Sequence, residues 1–259
     1  MFLETWWYWI LLSLWIGLGL LVLPVLLRVP APYGRAVRKG WGLRINSRIG
    51  WLVMELPAPL LFAGLFIYCR VVGFDKNALG VSLAFLGLWE IHYVHRAFIY
   101  PFRIRGKHSQ TTVTVILMGI VFNLINGYFN GTNLYCIKAG YDLRWLCGAR
   151  FLIGAAVFLC GLYINLKSDA ILRGLRKGDS RDYSVPRGFL FEYVSCPNYL
   201  GEVLEWLGWA VLTWSLAGLS FLVWTLANLV PRAIYNHKWY KETFADYPTD
   251  RKALFPMLL

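Results

Sequence analysis

Charge is what this chain has least of. Asp, Glu, Lys and Arg make up 15% of its 259 residues, whereas 58% are hydrophobic and 17% aromatic; soluble globular chains carry roughly a quarter charged residues. A soluble domain of this length could not hide so much apolar surface, so that class is excluded. No G-x-G-x-x-G follows a strand and no G-K-[ST] loop occurs, which excludes the Rossmann and P-loop modes of nucleotide binding. The five cysteines form no C-x-x-C pair and no His/Cys cluster with metal-ligand spacing, so no metal site is expected. There is no duplicated half, low-complexity tract or long linker, and one domain over residues 1–259 is expected. The net charge of +12 is split among loops, with no separate soluble domain to carry it, and a nucleic-acid partner is not expected.

Long apolar runs are what the chain has instead. Runs of about 20 residues are long enough to cross a bilayer as helices. Seven are predicted, at 6–27, 50–69, 79–101, 111–128, 149–167, 199–215 and 217–235. The expected fold class is an all-α integral membrane protein, a seven-transmembrane-helix bundle in contact with the lipid bilayer. The first run is too long for a cleaved signal peptide and lacks its basic start, so it reads as a permanent helix. Trp6, Trp7, Tyr8 and Trp9 form an interfacial anchor on it.

Basic residues orient the bundle. Arg28, Arg35, Arg38, Lys39, Arg44 and Arg48 fall between the first two runs, and the other loops of the same side are similarly basic; only Arg70, Lys76, Lys138, Arg144 and Arg150 fall on the opposite side. The positive-inside rule then places the N-terminus outside and the C-terminus in the cytosol, which requires an odd number of spans. Cys69 and Cys160, in or at the ends of runs, read as small buried apolar residues. Cys136 and Cys147 share the loop assigned to the outside, where an oxidising compartment allows a disulfide between them.

Polar residues inside the runs are the candidates for chemistry. Glu55 lies in M-E-L-P-A-P, with Pro57 and Pro59 breaking the backbone just beyond. A carboxyl in hydrocarbon is expensive and by default marks a functional site; as a neutral acid it is a hydrogen-bond donor instead of a charge. Trp89, Tyr93, Arg96 and Tyr100 share one helix face, leading to Arg105 and Lys107 at the cytosolic edge. One end of that stripe suits a carbonyl, the other a phosphate. His92 and His95 read as helix contacts, with Glu90 as a partner for one of them. Asn123, Asn126 and Gly127 read as interhelical bonding and close packing.

Two further stripes dominate the second half. Asn165, Asp169, Arg173 and Arg176 recur at i, i+4, i+8 and i+11, and Asn198, Glu202, Glu205 and Trp206 line a second apolar run. Arg232, Asn236 and Tyr240 recur at i, i+4 and i+8 near the C-terminus. Facing helices with amides, carboxylates and guanidinium groups suit a large, anionic, partly planar ligand held where membrane meets cytosol.

Several blocks together carry a resemblance. M-E-L-P, H-Y-x-x-R-x-x-x-Y-P, R-F-L-I-G, N-x-x-S-D-x-I-L-R-x-L-R, P-R-G-x-L-F-E-Y-V-S, N-Y-x-G-E-x-x-E-W and F-x-D-Y-P-x-x-R-K-A-L-x-P run in order from Glu55 nearly to the C-terminus. They resemble the steroid 5α-reductases (3-oxo-5α-steroid 4-dehydrogenases), read here as a bacterial homologue of the inner membrane; a eukaryotic member would sit in the endoplasmic reticulum. The resemblance implies a monomeric seven-helix enzyme that uses NADPH to saturate the C4–C5 double bond of a 3-oxo-Δ4 steroid. It makes Glu55 and Tyr93 the pair that holds the C3 carbonyl. Tyr33, Arg96, Tyr100, Arg105, Asn165, Asp169, Arg173, Arg176, Asn198, Glu202, Arg232, Asn236 and Tyr240 correspond to cofactor positions, and Trp206 to the aromatic residue beside nicotinamide and steroid. Met54 stands where many members have Gln, and Asn236 where members often have His. The alternatives are an isoprenylcysteine-type methyltransferase binding S-adenosylmethionine, which leaves Glu55 and Tyr93 without a job, a reductase of another sterol or enone lipid, and a non-enzymatic lipid-binding protein.

Overall fold

A computed structural model of the chain describes residues 2–29, 42–104, 109–138, 140–175 and 183–258. The apolar runs are helical. They form α1 (Phe2–Arg28), α2 (Ser47–Glu55), α3 (Pro57–Val71), α4 (Leu79–Val94), α5 (Tyr100–Arg103), α6 (Val113–Thr132), α7 (Ala149–Gly174), α8 (Pro197–Thr213) and α9 (Leu216–Thr243). Five stretches are long and apolar enough to cross a membrane: Thr5–Arg28, Ser47–Val71, Val113–Ile137, Ala149–Gly174 and Leu216–Thr243. α4 and α8 are shorter, at 16 and 17 residues. α4 reaches the length of its predicted run only by continuing through a π turn, His95–Ile99, into α5. The protein is a mostly helical membrane protein.

Proline chemistry explains the division of the second run. Pro57 and Pro59 have no N–H, so the carbonyls of Val53 and Glu55 lose their i+4 donors and the helix is interrupted at Leu56. Pro231 sits inside α9 without ending it.

The expectation of a purely helical chain needs one correction. Arg44–Asn46 (β1) and Gln110–Thr112 (β2) pair antiparallel, with Ile45 opposite Thr111. The ribbon joins the starts of α2 and α6, and Ser47 Oγ and Thr111 Oγ1, 2.9 Å apart, extend the junction. Three-residue strands are too short to leave an alternating pattern in a sequence.

Aromatic rings fill the centre. Trp89, Trp206, Trp209, Phe62, Phe85 and Phe158 are all fully buried. Trp89 stacks on Phe62 at 4.3 Å between centroids and Trp206 on Phe221 at 3.8 Å, a geometry that adds to the gain from burial.

α7 and α8 approach closer than side chains would permit. A Cβ built on Gly161 would lie 2.4 Å from the backbone N of Glu205, and one on Gly201 would lie 2.4 Å from that of Asn165. Gly154 and Gly208 repeat the pattern one heptad away. Small residues at this spacing let membrane helices pack backbone to backbone.

The cysteine pairing differs from the expected one. Cys69, at the end of α3, is bonded to Cys136, in the π turn Asn133–Ile137 that follows α6, with 5.6 Å between Cα atoms. Cys147 and Cys160 are free and exposed. Packing of α3 against α6 brings together residues 67 apart in the chain, which loop membership alone does not reveal. The same end of the bundle holds Asp75, whose carboxylate takes Arg70 at 2.9 Å, Ser82 Oγ at 2.8 Å and the Asn77 N–H at 3.0 Å. Lys138 there donates to the carbonyls of Thr213 and Trp214 at 3.0 and 2.8 Å, closing the left-handed end of α8.

Candidate active site

The opposite end of the bundle gathers the polar residues of α2, α4, α7 and α8. Arg96, in the π turn after α4, sits at its centre. Its guanidinium lies over the Trp51 ring at 4.6 Å and the Tyr100 ring at 5.3 Å, a flanking pair that favours a planar cation. Its Nε is 3.5 Å from Glu55 Oε1 and its NH2 3.8 Å from Glu202 Oε2. Asp169 stands within electrostatic range of the same group. Glu55 and Glu202 thus share this cation, and Asp169 lies in range of both Arg96 and Arg173.

Glu55 is buried and its second oxygen is occupied. Asn123 of α6 donates from Nδ2 to Glu55 Oε2 at 3.1 Å and to the Met54 carbonyl at 2.8 Å. Tyr93 is also buried, one helical turn from Trp89, with its ring 4.9 Å from that indole. It lies within electrostatic range of Glu55 and Glu202 and beside the amide of Asn126. α6 thus presents Asn123 toward one of these groups and Asn126 toward the other.

The two predicted stripes of α7 and α8 do face each other. Asn165 Nδ2 donates to the Asn198 carbonyl at 2.9 Å, and Asn198 Nδ2 to Asp169 Oδ1 at 3.3 Å. The glycine contacts between the helices hold both amides at this distance. Arg173 lies in the last turn of α7, which ends at Gly174. Arg176, Tyr33 and Arg105 lie outside the described residues.

Glu205 departs from the stripe. It is fully buried and pairs with His92 Nδ1 at 2.8 Å. That corrects the expected Glu90–His pairing: among the described residues Glu90 Oε1 has no hydrogen-bond partner. Neither sequence separation nor spacing could have found a bond across 113 residues. The His92 ring meets Tyr93 and Trp206 edge-on at 4.8 and 4.7 Å. Trp206 is 1% exposed and belongs to the aromatic core, against Phe221.

α9 contributes a neighbouring cluster. Arg232 lies over the Tyr199 ring at 5.2 Å, and Asn236 Nδ2 is 3.8 Å from Cys196 Sγ. Tyr240 is buried and stacks on Tyr247 at 5.4 Å. Tyr199, in electrostatic range of both Arg232 and Asp169, connects this cluster with the first. Beneath it, Ser195 Oγ meets His237 Nδ1 and the Tyr247 hydroxyl, each at 2.6 Å, and donates to the Lys252 carbonyl at 3.0 Å. Burial raises the Tyr247 hydroxyl above its ordinary range, which keeps it a donor in this knot.

Residues 109–259 match the family model described as 3-oxo-5-alpha-steroid 4-dehydrogenase. The chain belongs to that family. It is 40% identical over 255 residues to the steroid 5-alpha-reductase DET2 of Gossypium hirsutum, covering 97% of this chain and 94% of the relative. It is 44% identical over 237 residues to DET2 of Arabidopsis thaliana, covering 88% and 87%. To 3-oxo-5-alpha-steroid 4-dehydrogenase 1 of Bos taurus it is 39% identical over 248 residues, covering 94% and 93%. The expectation of a bacterial homologue is not borne out, since these relatives come from plants and a mammal. Members of the 3-oxo-5-alpha-steroid 4-dehydrogenase family are oxidoreductases acting on a CH–CH bond, and the matched region includes the α7–α8 stripes and the α9 cluster but not Glu55 and Tyr93, which only the full-length relatives cover.

Proposed function

We propose that this chain reduces the C4–C5 double bond of 3-oxo-Δ4 steroids with NADPH, as a seven-span membrane enzyme whose cofactor site opens to the cytosol. The observation that carries the reading is the burial of Glu55 and Tyr93 together against an aromatic wall, joined through Arg96 to the paired amides and carboxyls of α7 and α8.

The donor set fits a dinucleotide. Among the described residues Ser168 Oγ is buried with no hydrogen-bond partner, next to Asp169, and the ion pairs of Arg96 are long. Asn165, Asp169, Asn198 and Glu202 would hold ribose hydroxyls and the carboxamide; Arg173, Arg232, Tyr240, Asn236 and Tyr100 would line the remainder. The cationic residues suit NADPH over NADH because a 2′-phosphate needs a positive partner. When bound, NADPH supplies the hydride that adds to C5.

The chain's own residues then stabilise the charge. Addition at the β carbon of an enone builds negative charge on the carbonyl oxygen. The Tyr93 hydroxyl and the neutral Glu55 carboxyl donate hydrogen bonds to that oxygen, a contribution worth about 10²–10³ in rate per donor. Trp89, Trp206 and Phe221 keep bulk water from it, and the proton for C4 comes from water. The hydride transfer is tested by NADPH oxidation in detergent with testosterone or progesterone, deuterium-labelled cofactor and mass spectrometry. A product two hydrogens heavier, with deuterium at C5, is expected. Glu55→Leu, which removes the donor, should lower kcat about 10²–10³-fold with NADPH affinity retained; unchanged turnover removes Glu55 from the reaction.

A further inference from the structure

Met54 immediately precedes Glu55 in the last turn of α2. A thioether has no N–H to offer. The Met54 side chain instead packs onto α6, where a Cβ on Gly119 would lie 2.3 Å from its Cγ and 2.5 Å from its Sδ. Asn123 lies one turn further along α6 and is 4% exposed. Its Nδ2 carries two N–H donors, and both are accounted for: one meets the Met54 carbonyl at 2.8 Å, the other Glu55 Oε2 at 3.1 Å.

We infer that Asn123 is the positioning residue for Glu55, supplying from a neighbouring helix the support that position 54 lacks. The inference rests on the reading of Glu55 as a neutral acid given above. The carbonyl oxygen of a neutral carboxyl is the better acceptor, so the amide N–H at 3.1 Å favours Oε2 in that role over Oε1, whose nearest donor is at 3.5 Å, and places the O–H on Oε1. That oxygen points toward the Arg96 side of the site, where the guanidinium is 3.5 Å away. Asn123 thereby selects which oxygen can donate to a substrate carbonyl. Its second bond pins the last turn of α2, which Pro57 and Pro59 leave short of donors from α3. α6 is therefore part of the reacting apparatus as well as a packing partner.

Asn123→Leu keeps the side-chain volume and removes the donor. The expected result is a kcat about 10- to 100-fold lower, the range set by a lost buried hydrogen bond, with the KM for NADPH unchanged. The infrared C=O band of neutral Glu55, assigned by its disappearance in Glu55→Gln, should move to higher wavenumber. Where the leucine variant fails to fold, Asn123→Ala, which also lacks the donor, should show the same band shift. A parental kcat and an unmoved band in the Asn123 variants, with Glu55→Leu inactive, overturn the positioning role alone. Activity in Glu55→Leu overturns the reading on which it rests.

Discussion

The two ends of this bundle solve opposite problems. At one, Asp75 is saturated by Arg70, Ser82 and Asn77 at 2.8–3.0 Å, Lys138 closes the end of α8, and a disulfide joins α3 to the turn after α6. At the other, Arg96 is stretched between Glu55 and Glu202 at 3.5 and 3.8 Å, and Ser168 Oγ, His95 Nε2 and Glu205 Oε2 are buried without partners among the described residues. Buried polar groups are normally satisfied. An end where they are satisfied by the protein itself is finished; an end where several are not is waiting for something else to satisfy them. The contrast is one of degree, for among the described residues Arg70 Nε, Thr132 Oγ1 and Asn133 Oδ1 at the first end also lack hydrogen-bond partners.

Three perturbations sharpen the contrast. The largest effect is expected from Gly201→Leu, because the added side chain would begin 2.4 Å from the backbone of Asn165 and only a shift of α8 could accommodate it. Overpacking against side chains costs about 1–3 kcal/mol and occasionally more; here the clash is with backbone atoms at 2.4–2.9 Å, which puts the cost above that range, and the shift also parts the two amide stripes. A lower Tm in detergent should accompany a raised KM for NADPH, and normal cofactor binding would show the stripes to be dispensable. Next comes the double change Cys69→Ser with Cys136→Ser. Opening a bridge between residues 67 apart should cost about 2–4 kcal/mol of stability, seen as a lower Tm, with KM and kcat unaltered below the new transition. An altered KM would mean that the finished end communicates with the site.

The smallest effect is a pH dependence at the finished end. Burial, with repulsion from Arg150, lowers Lys138 from 10.5 to about 8. Between those values the unfolded chain holds a proton that the folded chain has released, so stability rises with pH from about 8 and levels off near the ordinary value. Thermal unfolding across this window should show the rise in the parent and a flatter profile in Lys138→Met. A profile falling over the same range would contradict the assignment.

Some of this was legible in the chain itself. Lipid demands long apolar helices, so the runs announced the starts of the elements within a few residues, while α7 and α9 continue seven and eight residues past the ends of theirs. The stripes of α7 and α8 were legible because helical periodicity puts Asn165 with Asp169 and Asn198 with Glu202. What periodicity cannot say is which helix answers which. The Asn123–Glu55 bond spans 68 residues and the His92–Glu205 pair 113, and in both cases the partner was legible only as a polar residue in an apolar run. The disulfide was misassigned for the same reason. α4 fell short of its predicted length because a π turn intervenes, whereas α8 keeps its 17 residues and starts two residues early, at Pro197.

The glycine seam between α7 and α8 has a mechanical meaning. With backbones touching at both ends of a heptad, these helices have no side-chain cushion across which to slide or tilt, and they move as one beam. Breathing that admits a bulky, rigid guest must occur along other seams. The beam also fixes the Asn165–Asn198 and Asn198–Asp169 bonds, so this face of the site keeps its shape.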